Sequence, residues 1–198
     1  FLAAGSVIMA LHHDQDIRNM GGLRKYMPIT WITSLIGSLA LIGTPFFSGF
    51  YSKESIIEAV HMSRLPGAGF AYFAVTAGVF VTAFYSFRMY FMVFHGRGRF
   101  GKRPHDQGGA GDEHHHGLAP GQKPHESPWV VTLPLILLAI PSVGIGYVLF
   151  DPMLHGNYFR DALVVVQSHL LAAVMHHEAI EEPFTMALHA FSTLPLWL

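Results

Sequence analysis

The 198-residue chain contains no cysteine, which excludes disulfides, thiolate metal sites, iron–sulfur ligation and thiol nucleophiles. Charge is scarce as well. Asp, Glu, Lys and Arg make up 13% of the residues, against about 25% in an ordinary soluble domain. Half of the usual solvating surface is therefore missing, while 51% of the residues are hydrophobic and the mean hydropathy is +0.36. Neither sign of charge is in excess, and a formal net charge of −1 gives no reason to expect nucleic acid as a partner. No basic segment followed by a short apolar run and a small-residue cleavage site opens the chain, so no signal peptide is visible. With Phe1 in place of an initiator Met and an apolar run at Leu198, the sequence reads as a fragment.

What is present are long stretches without Asp, Glu, Lys or Arg, at residues 26–52, 65–87 and 127–150. Each exceeds the roughly 20 residues a helix needs to cross the hydrocarbon core. The runs are continuous rather than alternating, so they predict an all-α membrane protein, a polytopic transmembrane helix bundle in contact with the lipid bilayer, rather than a barrel. Residues 1–13 are expected to end one span and residues 183–198 to begin another. Between them lie a basic loop at 14–27, spans at 67–96 and 128–150, a His- and Gly-rich loop at 97–127 and a periplasmic segment at 151–182. Ala74, Gly78 and Thr82 share one helical face, and Gly37 and Gly43 lie in the preceding span, which predicts close helix approach there.

Charge sets the topology. Arg18, Arg24 and Lys25 occupy one loop and Arg97, Arg99, Lys102 and Arg103 another, so both are expected to be cytoplasmic. An even number of crossings must then separate them. The count works if residues 28–63 cross once, yet as a straight helix they would measure about 54 Å. Thr44-Pro45 and Ser48-Gly49 interrupt the pattern in the middle, which predicts a discontinuous transmembrane helix over 28–63. Irregular backbone at membrane depth is tolerated where it lines protein or a water-filled cavity, and transporters place ion sites there.

The segment after the break carries the ionisable residues. Ser52 is a candidate N-cap, which would set Lys53 at the positive end of a half-helix; a cation is disfavoured there, which suits a residue that takes up and gives off a proton. Glu54 lies beside it, able to pair with Lys53 or accept its proton. Glu54, Glu58 and His61 follow at i, i+4 and i+7 on one face; Glu58 and His61 are the weaker candidates. Upstream, His12 and His13 close the first span, and His12 shares an i, i+4 face with Asp16; imidazole suits a proton relay. The His-rich composition of 97–127, with His105, His114, His115, His116 and His125, suggests disorder with incidental affinity for transition metals. Metal ligation is not expected, because a structural site needs better-spaced ligands. Gly96 to Gly101 matches G-x-G-x-x-G literally but lacks the preceding strand of a dinucleotide site.

The runs Leu2-Ala3-Ala4-Gly5-Ser6-Val7-Ile8, His12-His13-Asp14-Gln15-Asp16-Ile17-Arg18-Asn19-Met20-Gly21-Gly22-Leu23-Arg24-Lys25 and Gly49-Phe50-Tyr51-Ser52-Lys53-Glu54 closely resemble the distal antiporter-like membrane subunits of bacterial respiratory complex I, the subunit L family of NADH-quinone oxidoreductase. The similarity is specific up to about residue 96 and looser beyond it. It implies a proton-translocating membrane-arm subunit in the bacterial inner membrane, carrying most of the discontinuous helix of the second antiporter-like repeat. The family's lysine–acid pair maps onto Lys53 and Glu54, and its histidine-bearing helix onto residues 1–13. Where members often carry His, this chain has Met9, which holds no proton, so His12 or His13 is the candidate substitute. The resemblance also implies that the first-repeat lysine precedes Phe1 and that the lateral helix and last span follow Leu198. No cofactor is expected in this chain; NADH, FMN, iron–sulfur clusters and quinone belong to partner subunits, and the other membrane-arm subunits are its neighbours. Subunits of cation/proton antiporters and membrane-bound hydrogenases share the broken helix and the intramembrane lysine, and a non-catalytic membrane scaffold is the reading from another class.

Overall fold

The computed structural model describes residues 1–101, 117–119, 121–154, 158–159 and 183–190. Among them every regular element is helical: α1 Leu2–Ala10, α2 Pro28–Ile42, α3 Ser48–Met62, α4 Ala68–Phe94, α5 Trp129–Leu154 and α6 Pro183–Ala190, with one-turn 3-10 helices at Ile17–Asn19 and Leu23–Lys25. The expected span at 28–63 is two helices separated by residues 43–47, and α5 runs to Leu154, past the expected end at residue 150. The apolar run stops at Phe150, but composition marks where the chain becomes polar, not where its backbone hydrogen bonds end.

Two of these helices, Ala68–Phe94 and Trp129–Phe150, are long and apolar enough to cross a bilayer, yet only 6% and 11% of their most apolar windows are buried. A core helix of a soluble protein would hide that surface. Here Phe70, Phe73, Phe84, Leu137, Ile140 and Val148 expose it, as lipid-facing side chains do. The fold is an all-α membrane protein with a discontinuous helix.

Packing divides the chain into two units, Phe1–Ser38 with Tyr85–Ala139 and Leu39–Phe84 with Ile140–Leu198. In the first, α1, the start of α2 and the end of α4 meet over a core that includes Val7, Leu11, Leu23, Met27, Tyr90 and Phe94. Two loops seal it. Gly22 N–H donates to the His95 carbonyl at 3.0 Å, Arg99 Nε to the Met20 carbonyl at 2.7 Å, and Gly117 N–H to the His12 carbonyl at 2.9 Å. The loop at 97–127, expected to be disordered, is over its described residues a packed segment. The Arg99 side chain on the Met20 carbonyl and the Gly117 N–H on the His12 carbonyl supply order that its composition lacks. His105, His114, His115 and His116 lie outside the described residues, as do residues 160–182 and 191–198.

The start of α2 shows how the first unit is tied together. α2 opens on Pro28, which brings no N–H of its own. Glu126 supplies the missing acceptor from across the unit, taking the Ile29 N–H at 2.8 Å, the Thr30 N–H at 3.4 Å and the Thr30 hydroxyl at 2.6 Å. The buried Ser6 hydroxyl then joins Thr30 Oγ1 at 2.9 Å to Ser127 Oγ at 2.6 Å. A carboxylate at a helix N-terminus is favoured by the dipole and by the unpaired N–H groups. Glu126→Ala in the full-length protein is therefore expected to cost about 2–3 kcal/mol, because it removes the cap and strands the Thr30 hydroxyl. Glu126→Gln, which keeps an acceptor oxygen, is expected to cost less. Thermal unfolding of the purified full-length protein in detergent reads this, and an Ala variant as stable as the parent would refute it.

In the second unit Phe50 and Tyr51 of α3 pack on Ala187 and Ala190 of α6, with Phe150 and Met186 alongside. The Tyr51 ring lies 5.5 Å from that of Phe150.

Candidate functional site at the interrupted helix

The interruption is built from Gly43, Thr44, Pro45, Phe46 and Phe47. α2 ends as many helices do, with a left-handed residue: Gly43 has φ +87°, and the N–H groups of Gly43 and Thr44 both return to the Leu39 carbonyl at 3.2 and 3.1 Å, a Schellman-type ending. Pro45 then prevents continuation and disfavours a helical Thr44. Phe46 also takes a left-handed backbone, φ 72°, a costly state for a bulky residue. Phe47 is extended, and α3 starts at Ser48.

Two expectations change here. Ser48-Gly49 is not part of the break but the first turn of α3, and Ser52 is not its N-cap; the Ser52 hydroxyl donates to the Gly49 carbonyl at 3.4 Å. Gly49 belongs in the helix because of its neighbour: a Cβ there would overlap the Ala40 carbonyl oxygen, so the first turn of α3 rests directly on the last turns of α2. A Cβ at Gly146 of α5 would stand 2.6 Å from Ser48 Cα and 2.9 Å from Tyr51 Cδ2. Close approach thus falls at Gly49 and Gly146, and at Gly43, a predicted position where a Cβ would stand 3.1 Å from Lys53 Cδ and 3.8 Å from Phe50 Cα. At Gly37 and Gly78, where the small-residue stripe predicted it, a Cβ would meet nothing within 4 Å among the described residues.

The half-buried Lys53 side chain runs past Gly43, its Cδ 3.1 Å from where a Cβ of Gly43 would be, and its ammonium donates to the Leu41 carbonyl. Lys53 is therefore not held at the positive start of α3. It stands in the second turn, with its charge on the negative, C-terminal end of α2, where a cation is favoured. Neighbouring helical positions do not face each other, and the ammonium goes to Leu41 rather than to Glu54. Glu54 is half-buried, as is Glu58 one turn on; His61 is exposed, its ring 4.9 Å from that of Tyr72. Beside the break the Tyr51 hydroxyl is buried with no hydrogen-bond partner among the described residues.

His12 and His13 belong to the first unit. α1 stops at Ala10, and both histidines are left-handed, φ 51° and 65°. The His12 N–H returns to Met9 at 3.2 Å and the His13 N–H to Ile8 at 2.9 Å, so they form the Schellman end of α1. The expected His12–Asp16 helical face is consequently absent. Asp16 instead caps the turn Ile17–Asn19, accepts from the Arg18 N–H at 2.9 Å, and pairs with the Arg18 guanidinium at 2.8 Å. This hydrogen bond, with the Asp16 charge, raises the already high Arg18 pKa. Both histidine side chains are exposed, and His12 Nε2 lies 3.2 Å from Gln122 Nε2. Among the described residues no three of His, Cys, Asp or Glu gather as a metal site requires.

Glu126, Gly146 and the Leu41 carbonyl were not singled out by the sequence, and Gly49 and Tyr51 stood only in a family motif or a predicted break, with no packing role. A glycine late in an apolar span was the available signal for Gly146; a backbone carbonyl leaves none.

These features define a class, the helical membrane proteins of antiporter type, whose ion sites lie at a discontinuous helix. A family described as NADH:quinone oxidoreductase/Mrp antiporter, TM, matches residues 1–84. Subunit L of the NADH-quinone oxidoreductase of Neisseria meningitidis serogroup A is 59% identical over 200 residues, covering 100% of the chain and 29% of the relative. Subunit L of Rhodobacter capsulatus is 41% identical over 190 residues, 90% of the chain and 23% of the relative. NADH-ubiquinone oxidoreductase chain 5 of Marchantia polymorpha is 37% identical over 175 residues, 87% of the chain and 24% of the relative. The chain belongs to this family of antiporter-like membrane subunits, and it spans under a third of the length of these relatives.

Proposed function

We propose that the chain forms part of the membrane arm of a bacterial NADH:quinone oxidoreductase in the inner membrane, and that protons cross it by way of Lys53 and Glu54, with His12 and His13 as further exchange groups and Glu58 and His61 as lesser ones. Redox chemistry in other subunits, which hold NADH, FMN, iron–sulfur clusters and quinone, drives the transfer. The observation that carries this reading is the Lys53 ammonium held on a carbonyl at the broken end of α2. A lysine in an interrupted membrane helix is costly to keep and is retained for ion traffic. The hydrogen bond from Arg99 to the Met20 carbonyl, with that from Gly22 N–H to the His95 carbonyl at the end of α4, supports one cytoplasmic side for both loops.

Moving a charge against 100 mV costs about 2.3 kcal/mol, and no energy source is visible in this chain. Coupling through neighbouring membrane-arm subunits supplies it. The test is NADH-driven acidification across native membrane vesicles carrying the full-length protein, parent against Glu54→Gln. Pumping is expected to fall while the complex still assembles. If no NADH-linked gradient forms even in the parent, the proposal fails and the cation/proton antiporter role, which the family description also names, takes its place.

A further inference from the structure

Four buried polar atoms of the first unit have no hydrogen-bond partner among the described residues: Trp31 Nε1, Ser86 Oγ, Tyr90 Oη and His95 Nδ1. Buried polar groups are paired in nearly all native structures, with protein or with ordered water. These four are neighbours. The His95 ring lies 5.3 Å from that of Tyr90 and 6.2 Å from that of Trp31, and Ser86 precedes Tyr90 by one turn on the same face of α4. Tyr90 is 3% exposed and Ser86 1%. The Trp31 indole N–H lies close enough to the Tyr90 hydroxyl to interact with it, though neither makes a well-formed hydrogen bond among the described residues. The cluster sits where α4 gives way to the loops, since the His95 carbonyl accepts the Gly22 N–H at 3.0 Å.

The chemistry of the atoms selects the ligand. Trp31 offers a donor only, the Tyr90 hydroxyl donates or accepts, and His95 Nδ1 does either according to tautomer. A cation finds no acceptor at the indole, and an apolar group leaves all of the atoms unpaired. One water accepts from Trp31 and exchanges hydrogen bonds with Tyr90 and His95, making the three bonds typical of a buried water.

We infer that Trp31, Tyr90 and His95 hold a buried water and that His95 exchanges protons with it, as a relay group not included in the path through Lys53 and Glu54. This rests on the proton-translocation reading above. The imidazole takes one proton from the water and later returns one; no heavy-atom bond forms or breaks and no electron moves. Imidazole is the side chain suited to such exchange in the physiological range.

The experiment compares parent, His95→Gln, Tyr90→Phe and Lys53→Arg forms of the full-length protein in assembled complex, in native vesicles, reading protons translocated per NADH oxidised. Glutamine fills the space of His95 and hydrogen-bonds but carries no proton. The proton yield is expected to fall about tenfold or more in His95→Gln and to fall in Tyr90→Phe; a structural role alone would leave His95→Gln at the parent value. Parent values in both, with Lys53→Arg lowered, overturn the relay and leave the Lys53 reading standing. Parent values in all three overturn both. A density map of the assembled parent complex, at a resolution that shows ordered water elsewhere in the subunit, gives a second check: a water between Trp31, Tyr90 and His95 supports the site, and its absence there overturns it.

Discussion

Lys53→Arg in the full-length protein is expected to leave assembly intact and to lower NADH-driven proton translocation by about tenfold or more, toward the range lost with a positioned proton-transfer group. Arginine separates the two roles of Lys53. As a cation on the Leu41 carbonyl, Lys53 satisfies a carbonyl at the end of α2 and complements the helix dipole, each a modest effect. A guanidinium does both. What it cannot do is give up its proton, because arginine stays charged at any pH a protein survives. If capping were the whole role, the Arg variant would pump like the parent, and proton exchange at position 53 would be excluded. Lys53→Met completes the comparison. It removes charge and donor together, so it is expected to lose translocation as Arg does and also to weaken the protein by about 1 kcal/mol, the size of a lost helix-end hydrogen bond.

Much of the fold was legible in the sequence because membrane helices advertise themselves by composition. Long runs without charge predict spans directly, and Thr44-Pro45 announced a break by removing an N–H and restricting the residue before it. The misreadings share a cause. Ser48-Gly49 and Ser52 were read from local preference, a Gly as a breaker and a Ser as a cap. Their helical placement follows from Ala40, on another helix, which leaves room only for a glycine. The orientation of Lys53 was misjudged in the same way: its own helix suggested the positive end, and the carbonyl it reaches belongs to the preceding helix.

The first unit repeats the lesson with polar groups. Glu126 lies in a loop legible only as His- and Gly-rich, although it caps α2 across 97 positions of sequence from Ile29. His12 and His13 read as the end of a continuing helix, where a left-handed turn stops it at Ala10. Histidine is among the residues that enter that region more readily than most, a tendency too weak to decide a helix end without the packing of Leu11 beneath it.

Among the glycines, the large stability effects should fall at Gly49 and Gly146 rather than at the small-residue stripe of α4. Gly49→Ala sets a methyl group against the Ala40 carbonyl, a backbone atom that no rotamer change can move, and Gly146→Ala sets one 2.6 Å from Ser48 Cα. Overpacking of this kind costs about 1–3 kcal/mol and sometimes more, a large share of the roughly 5–15 kcal/mol that a folded protein has in hand. Gly78→Ala meets nothing within 4 Å and is expected to change stability by no more than about 0.5 kcal/mol. Thermal unfolding of the three full-length variants in detergent ranks them, and equal behaviour of Gly49→Ala and Gly78→Ala would remove the close helix approach from the account. The two glycines bear on ion transfer as well. Gly49 lets the first turn of α3 rest on α2, and that contact brings Lys53 within reach of Leu41. A methyl group at Gly49 pushes the two half-helices apart where the ammonium bridges them, so Gly49→Ala should lower proton translocation further than Glu126→Ala does at a comparable loss of stability.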